Sequence, residues 1–188
     1  MTMTSLPRRP RLPPRLVPQF LPALLLGGLL LAASCRSDGG CQRGEPCECS
    51  GGTDCYLGCA DGDGCDQTCF SANHCGAVCG NACSHTCHDV SDCTSDCGDD
   101  CTVSCHTNMS CGAFCGARCQ YECSNVTTCG VRVGPQSVVT CTQVNACTVE
   151  CKGTCQVQCA NVGACNVTCA DGTAAVSCGG NTLACGPC

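Results

Sequence analysis

The chain has 188 residues, 31 of them cysteine, with three Phe, two Tyr, no Trp and a formal net charge of −6. A domain of this length ordinarily buries aromatic and branched aliphatic side chains, but Leu is crowded into the first 31 residues, with only Leu57 and Leu183 beyond. Such a chain lacks the material for an oily core, reads as a disulfide scaffold of an oxidising compartment, and, being acidic, argues against nucleic acid, whose binding needs basic patches.

At the N-terminus Arg8, Arg9, Arg11 and Arg15 precede an apolar run from Phe20 to Ala33, FLPALLLGGLLLAA. A transmembrane helix needs about 20 apolar residues, more than this run supplies. Pro22, Gly27 and Gly28 interrupt it and no amphipathic period is visible, which weighs against a buried helix. Basic lead, short apolar segment and small residues together read as a secretory signal peptide over residues 1–34. The run ends in LAASC, residues 31–35, which resembles the lipobox of bacterial lipoproteins. The resemblance implies that Cys35 receives the lipid, becomes the new N-terminus and anchors the chain to a membrane. Leu31 stands one place early, and Ala32 occupies the position where Leu is commonest. Ala32 and Ser34 also suit an ordinary signal peptidase, so plain secretion is the alternative. Arg36 stands where, in enteric lipoproteins, Asp favours inner-membrane retention; the resemblance therefore implies the outer membrane or cell surface. Loss of the leader leaves five basic residues against fifteen acidic ones, about −10, which suits a hydrated surface object.

Residues 35–54, CRSDGGCQRGEPCECSGGTD, read as a tether rich in Gly and charge. Residues 55–188 read as one cysteine-rich repeat domain. Cys55, Cys59, Cys65 and Cys69 follow a ten-residue unit in which gaps of three and five residues alternate. From Cys75 the unit lengthens to 18 residues, with Cys93, Cys111, Cys129, Cys147 and Cys165 at the same position. Within each unit the gaps run three, three, three, five. The unit at Cys129 has Val133 and Ser137 where two cysteines are expected, and the unit at Cys165 drifts after Cys169. A period near 20 residues marks a solenoid or array.

The five-residue gaps, HDVSD, HTNMS, SNVTT, TQVNA and ANVGA, place Asn or Asp commonly second and Val commonly third. Asn and Asp tolerate left-handed geometry, so each gap reads as a tight corner. The residues between are Gly, Thr, Val, Ser, Asn and Asp, which are poor helix interiors. Every cysteine from Cys35 to Cys169 has an odd number, which puts them on one face of an extended segment. The predicted fold is small, disulfide-rich and all-β: short parallel strands in a narrow solenoid of 18-residue units, with sulfur along its axis. The alternative is a string of small disulfide knots with little regular structure. The staple pattern loosely resembles the insect antifreeze solenoids, which close each coil with a disulfide across a five-residue gap. Their flat Thr-x-Thr ladder is missing, since Thr94, Thr102, Thr142 and Thr148 do not align in that form.

Setting Cys35 aside leaves an even number of cysteines. Two adjacent ones are lost together at positions 133 and 137, so their equivalents are read as partners: Cys79–Cys83, Cys97–Cys101, Cys115–Cys119 and Cys151–Cys155. The others then close the five-residue corners, as Cys87–Cys93, Cys105–Cys111, Cys123–Cys129, Cys141–Cys147 and Cys159–Cys165. Extended outward, the rule gives Cys41–Cys47, Cys49–Cys55, Cys59–Cys65 and Cys69–Cys75, and at the far end Cys169–Cys178 and Cys185–Cys188.

Other chemistry finds weaker support. His74, His85, His88 and His106 lie near cysteine pairs of zinc-like spacing, but exported thiols oxidise and only Cys47 and Cys49 form a C-x-C pair. The acidic cluster Asp61, Asp63, Asp66, Asp92, Asp96, Asp99 and Asp100 offers oxygens for calcium, yet the twelfth position counted from Asp61 is Ala72, where an EF-hand requires Glu. No Ser sits in G-x-S-x-G, no free thiolate is left, and no cofactor is implied. The terminal CGPC is similar to the C-x-x-C of thioredoxin-like oxidoreductases but lacks the strand–helix setting. Sequons occur at Asn108, Asn125 and Asn166. The expected function is a non-enzymatic cell-envelope lipoprotein, a surface module for structure, adhesion or binding to a protein or glycan. The alternative is a secreted metal- or calcium-binding protein.

Overall fold

The computed structural model describes residues 40–188, so residues 1–34, read as a signal peptide, and Cys35 lie outside the described residues. Through residue 168, alternation of inward odd and outward even residues makes each regular element a strand. In chain order these are β1 (Pro46–Ser50), β2 (Asp54–Gly58), β3 (Asp66–Phe70), β4 (His74–Cys79), β5 (Ser84–His88), β6 (Asp92–Cys97), β7 (Thr102–His106) and β8 (Ser110–Cys115). They continue as β9 (Gln120–Ser124), β10 (Thr128–Val133), β11 (Ser137–Thr142), β12 (Ala146–Cys151), β13 (Cys155–Ala160), β14 (Ala164–Thr168), β15 (Val176–Gly179) and β16 (Thr182–Cys185). Among the described residues no helix is long and apolar enough to cross a membrane.

The odd strands form one parallel sheet, β1-β3-β5-β7-β9-β11-β13, extended by β16 and β15; the even strands form a second, β14-β12-β10-β8-β6-β4-β2. The chain alternates between the two, which makes a flattened β-solenoid. From β3 onward each residue pairs with the one 18 positions later, as Cys69 with Cys87 and Cys75 with Cys93. The upstream spacing is not a ten-residue unit. It is a twenty-residue coil, since Cys49 pairs with Cys69 and Cys55 with Cys75. The ladder also begins before residue 55, inside the segment read as a tether: β1 pairs with β3, and Cys41 bridges Cys59. The alternation in PCECS is a strand signal embedded in a polar stretch.

Sulfur does not fill the axis. Each coil turns at two corners, and the disulfides line those two edges. Between them the centre is filled by the residue standing two places either side of the corner that leads from an even to an odd strand. These pairs are Leu57 with Gln67, Ala77 with His85, Ser95 with Val103, Ala113 with Tyr121, Val131 with Val139 and Val149 with Val157, all buried.

The corners repeat as strictly as the strands. In the five-residue corners the second residue takes positive φ: Asp89, Thr107, Asn125, Gln143 and Asn161, between 54° and 59°. The third turns inward, as Val90, Asn108, Val126 and Val144. Asn108 replaces valine there and satisfies itself, accepting from Val90 N at 2.9 Å and donating to Cys87 O at 3.2 Å. The Asn108 side chain is therefore buried, whereas Asn125 and Asn166 are exposed.

On the shorter corners Gly98, Gly116 and Gly134 stack directly. Gly116 N donates to Gly98 O, and Gly134 N to Gly116 O, at 2.9 Å each. A Cβ on Gly116 would lie 2.8 Å from the Gly98 carbonyl carbon. Beside them runs a side-chain ladder. Asp63 Oδ1 accepts from Asn81 N, Asn81 Oδ1 from Asp99 N and Asp99 Oδ1 from Ala117 N, at 2.6–2.8 Å. It ends where Ala117 offers no acceptor and Pro135, next in line, has no N–H to place.

Past Cys169 the chain leaves the coil and returns. β16 pairs antiparallel with β13, and β15 pairs antiparallel with β16. This hairpin covers the last edge of the odd-strand sheet, where an open edge would invite further pairing.

Candidate functional site

The cysteines occupy the places that the period dictates. Cys79–Cys83, Cys97–Cys101, Cys115–Cys119 and Cys151–Cys155 are bonded across the short corners. Cys87–Cys93, Cys105–Cys111, Cys123–Cys129, Cys141–Cys147 and Cys159–Cys165 are bonded across the long ones. Cys41–Cys47, Cys49–Cys55, Cys59–Cys65 and Cys69–Cys75 continue the series upstream. The C-terminal pairs differ from the nearest-neighbour rule: Cys169 joins Cys185 and Cys178 joins Cys188. The reason is the reversal of the chain. The rule holds only while the chain coils forward, and the antiparallel β16 brings Cys185 opposite Cys155 instead. In the coil at Cys129, where a bond is missing, Val133 is fully buried and the Ser137 hydroxyl accepts from Cys119 N at 3.0 Å. The same hydroxyl donates to Gly116 O at 3.4 Å, so packing and these two hydrogen bonds hold that corner.

Four potential metal ligands, Cys75, His85, Cys87 and Cys93, have ligand atoms within 4.8 Å of one another. The three sulfurs are all half-cystines, so the oxidised protein offers no thiolate there. His85 is 2 % exposed. Nδ1 contacts Ser95 Oγ and Nε2 lies 3.9 Å from Cys75 Sγ. Burial pushes its pKa down to about 4, so the ring is neutral. This Ser–His contact is inaccessible to a substrate, because Ser95 is also buried. Tyr121 is buried with no protein partner for its hydroxyl, and desolvation pushes its phenol pKa up.

The acidic residues are largely engaged. Arg118 donates Nε to Asp100 Oδ1 at 2.6 Å and a terminal nitrogen to Oδ2 at 2.7 Å, which holds the Asp100 carboxyl below the usual range. Arg43 N donates to Asp61, and its guanidinium lies 3.7 Å from Asp63.

What remains accessible is the pair of flat outer faces. On the even-strand face, a shallow groove runs over Gly112 and Gly130 between Phe114, Arg132, Thr94 and Thr148. Arg132 stands 5.3 Å over the Phe114 ring and donates to Glu150 at 2.6 Å; Glu150 also pairs with Lys152. Tyr56, Val78 and Phe114 are among the exposed large apolar residues, and all three lie on this face. On the odd-strand face, Thr68, Thr86 and Ser104 stand in register as a short hydroxyl row, followed by Glu122. The 18-residue period carried that row in the sequence, but the threonines compared there lie on different faces. Phe70, His88 and His106 form a second row beside it.

Comparison of the chain with protein-family models, with curated proteins and with solved structures finds no match.

Proposed function

We propose that this chain is a non-enzymatic, exported surface module, held at a membrane by lipid on Cys35 and used for structure, adhesion or binding. The observation that supports it most is that all thirty cysteines of the described residues are half-cystines. Disulfides at this density form and persist in oxidising compartments outside the cytosol. Apart from Cys169–Cys185 and Cys178–Cys188, they join cysteines 4 or 6 residues apart, as Cys79–Cys83 and Cys87–Cys93 do, so the loops they close are short. A bond closing so short a loop contributes roughly 2 kcal/mol by restricting the unfolded chain. The one Ser–His contact, Ser95 with His85, is withdrawn into the interior. The flat outer faces are the surface offered to a protein or glycan partner, and the acidic balance disfavours nucleic acid.

The test has two arms. Cells expressing wild type and Cys35→Ser are fed radioactive palmitate; label in the wild type alone supports the anchor, and label in neither removes it. The purified protein is digested with a broad-specificity protease before and after reduction. Resistance that disappears on reduction supports the stapled module, whereas equal digestion in both states refutes it.

A further inference from the structure

His88 and His106 occupy the same coil position on adjacent parallel strands and are register partners. Their rings lie 5.2 Å apart, centroid to centroid, tilted by 35°. On its other side His88 is stacked by Phe70, at 5.3 Å and 4°. Nδ1 of His88 lies 3.0 Å from Asp89 Oδ2. A carboxylate at Nδ1 fixes the tautomer: Nδ1 carries the proton and donates it, and Nε2 keeps its lone pair. This is the outer partner that metal-bound histidines have. The His88 side chain is 31 % exposed, so the ring reaches solvent.

We propose that His88 and His106 form a surface site for one divalent transition cation of the Cu2+ or Zn2+ class, with Asp89 as the positioning carboxylate. Imidazole is a ligand suited to these ions. Metal–nitrogen bonds of about 2.0–2.1 Å need the two nitrogens within about 4 Å of each other. Side chains on strands about 4.8 Å apart meet that requirement by a rotation of the more weakly held ring. Phe70 holds His88, so His106 is the ring that turns; water completes the coordination. The backbone is prepared for this. Each histidine directly follows a half-cystine, Cys87 or Cys105, whose bond closes the adjoining corner. Less ordering is then left for the ion to impose. Asp89 sits at φ 55°, a geometry that Asp and Asn accept better than most residues. His74 provides a contrast. It too is oriented by a carboxylate, Asp92, at 3.2 Å, but its register partners are Asp54 and Asp92, and no second imidazole stands beside it.

The test is calorimetric titration of the oxidised, tag-free protein with CuCl2 and, separately, ZnCl2, with electron paramagnetic resonance of the copper form. One ion per chain and coupling to two nitrogens are expected. His88→Gln and His106→Gln each weaken binding at least tenfold, and Asp89→Asn weakens it about tenfold through loss of the orienting charge. His74→Gln leaves the affinity unchanged. Should His106→Gln fail to fold, His106→Ser introduces the residue that Ser124 supplies at the next register position. Unchanged affinity in either His106 variant, equal loss in His74→Gln, or coupling to a single nitrogen overturns the proposal.

Discussion

Acid destabilisation through His85 follows directly from the interior. His85 is buried against Ser95 and Cys75, in register with Gln67 and Val103, and its pKa falls from 6.5 to about 4 through desolvation alone. In the unfolded chain it binds a proton below pH 6.5, while in the fold it stays neutral down to about 4. The unfolded state therefore binds more protons across that window, and stability falls as pH falls. The contribution is complete above 6.5 and is lost once pH drops below the folded value. At about 1.4 kcal/mol per pKa unit, the full loss is about 3 kcal/mol, of which about 2 appear between pH 7 and pH 5. The perturbation is His85→Val combined with Ser95→Ala. Valine is the residue at the equivalent positions 103, 139 and 157, and alanine avoids stranding the Ser95 hydroxyl. Guanidinium unfolding of the oxidised protein, followed by circular dichroism from pH 7 to pH 5, gives the midpoints. The wild-type midpoint should fall with pH and the double variant's should stay nearly level, since most carboxylates titrate lower. Parallel pH profiles for the two proteins would refute the account of the neutral core histidine.

Four variants probe the corners and an adjoining strand. Gly116→Ala should cost about 2–3 kcal/mol in thermal or denaturant unfolding, because its Cβ meets the Gly98 backbone, whereas Gly130→Ala, with nothing within 4 Å, should be nearly neutral. Val133→Cys with Ser137→Cys should restore the missing short-corner bond, leave no thiol reactive to Ellman reagent under denaturing conditions, and add up to about 2 kcal/mol. Thr107→Asn should raise the melting temperature, worth about 1 kcal/mol, because a β-branched residue at φ 59° is strained where Asn is not.

The period and the parity of the cysteines carried most of the architecture. An 18-residue repeat of odd-numbered cysteines admits few solutions other than coils with one inward face, and the paired absence at Val133 and Ser137 identifies the short-corner partners. Two things were hidden. One is where the repeat stops applying. Nothing in the spacing of Cys169, Cys178, Cys185 and Cys188 announces that the chain reverses, because antiparallel return is decided by the Gly179–Gly180–Asn181 turn, all at positive φ, and by the exposed edge of β13. The other is what shares an outer face. Thr68, Thr86 and Ser104, or His88 and His106, become neighbours only after the sheet membership of each strand is fixed. Thr68 and Phe70 enter those rows at the same 18-residue offset, although the cysteine spacing upstream of Cys75 reads as a different unit.

The corner without a disulfide explains why so much sulfur is needed elsewhere. In the coils from Cys75 to Cys123 the central interior positions are held by Ala77, His85, Ser95, Val103, Ala113 and Tyr121, and several of these bury polar atoms or little apolar area. From Val131 onward they are valines: Val131, Val139, Val149 and Val157, joined by Val133 in place of a cysteine and by Val126 and Val144 at the long corners. Burying a valine side chain contributes about 1.5–3 kcal/mol, comparable with one short-loop disulfide. The bond at 133–137 is absent within this valine-rich stretch, where burial supplies an equivalent hold. Removing one short-corner bond as a pair of serines should therefore be more damaging at Cys97–Cys101, beside Ser95 and Val103, than at Cys151–Cys155, beside Val149 and Val157. Equal losses of midpoint at the two corners would show that burial does not substitute for sulfur in this solenoid.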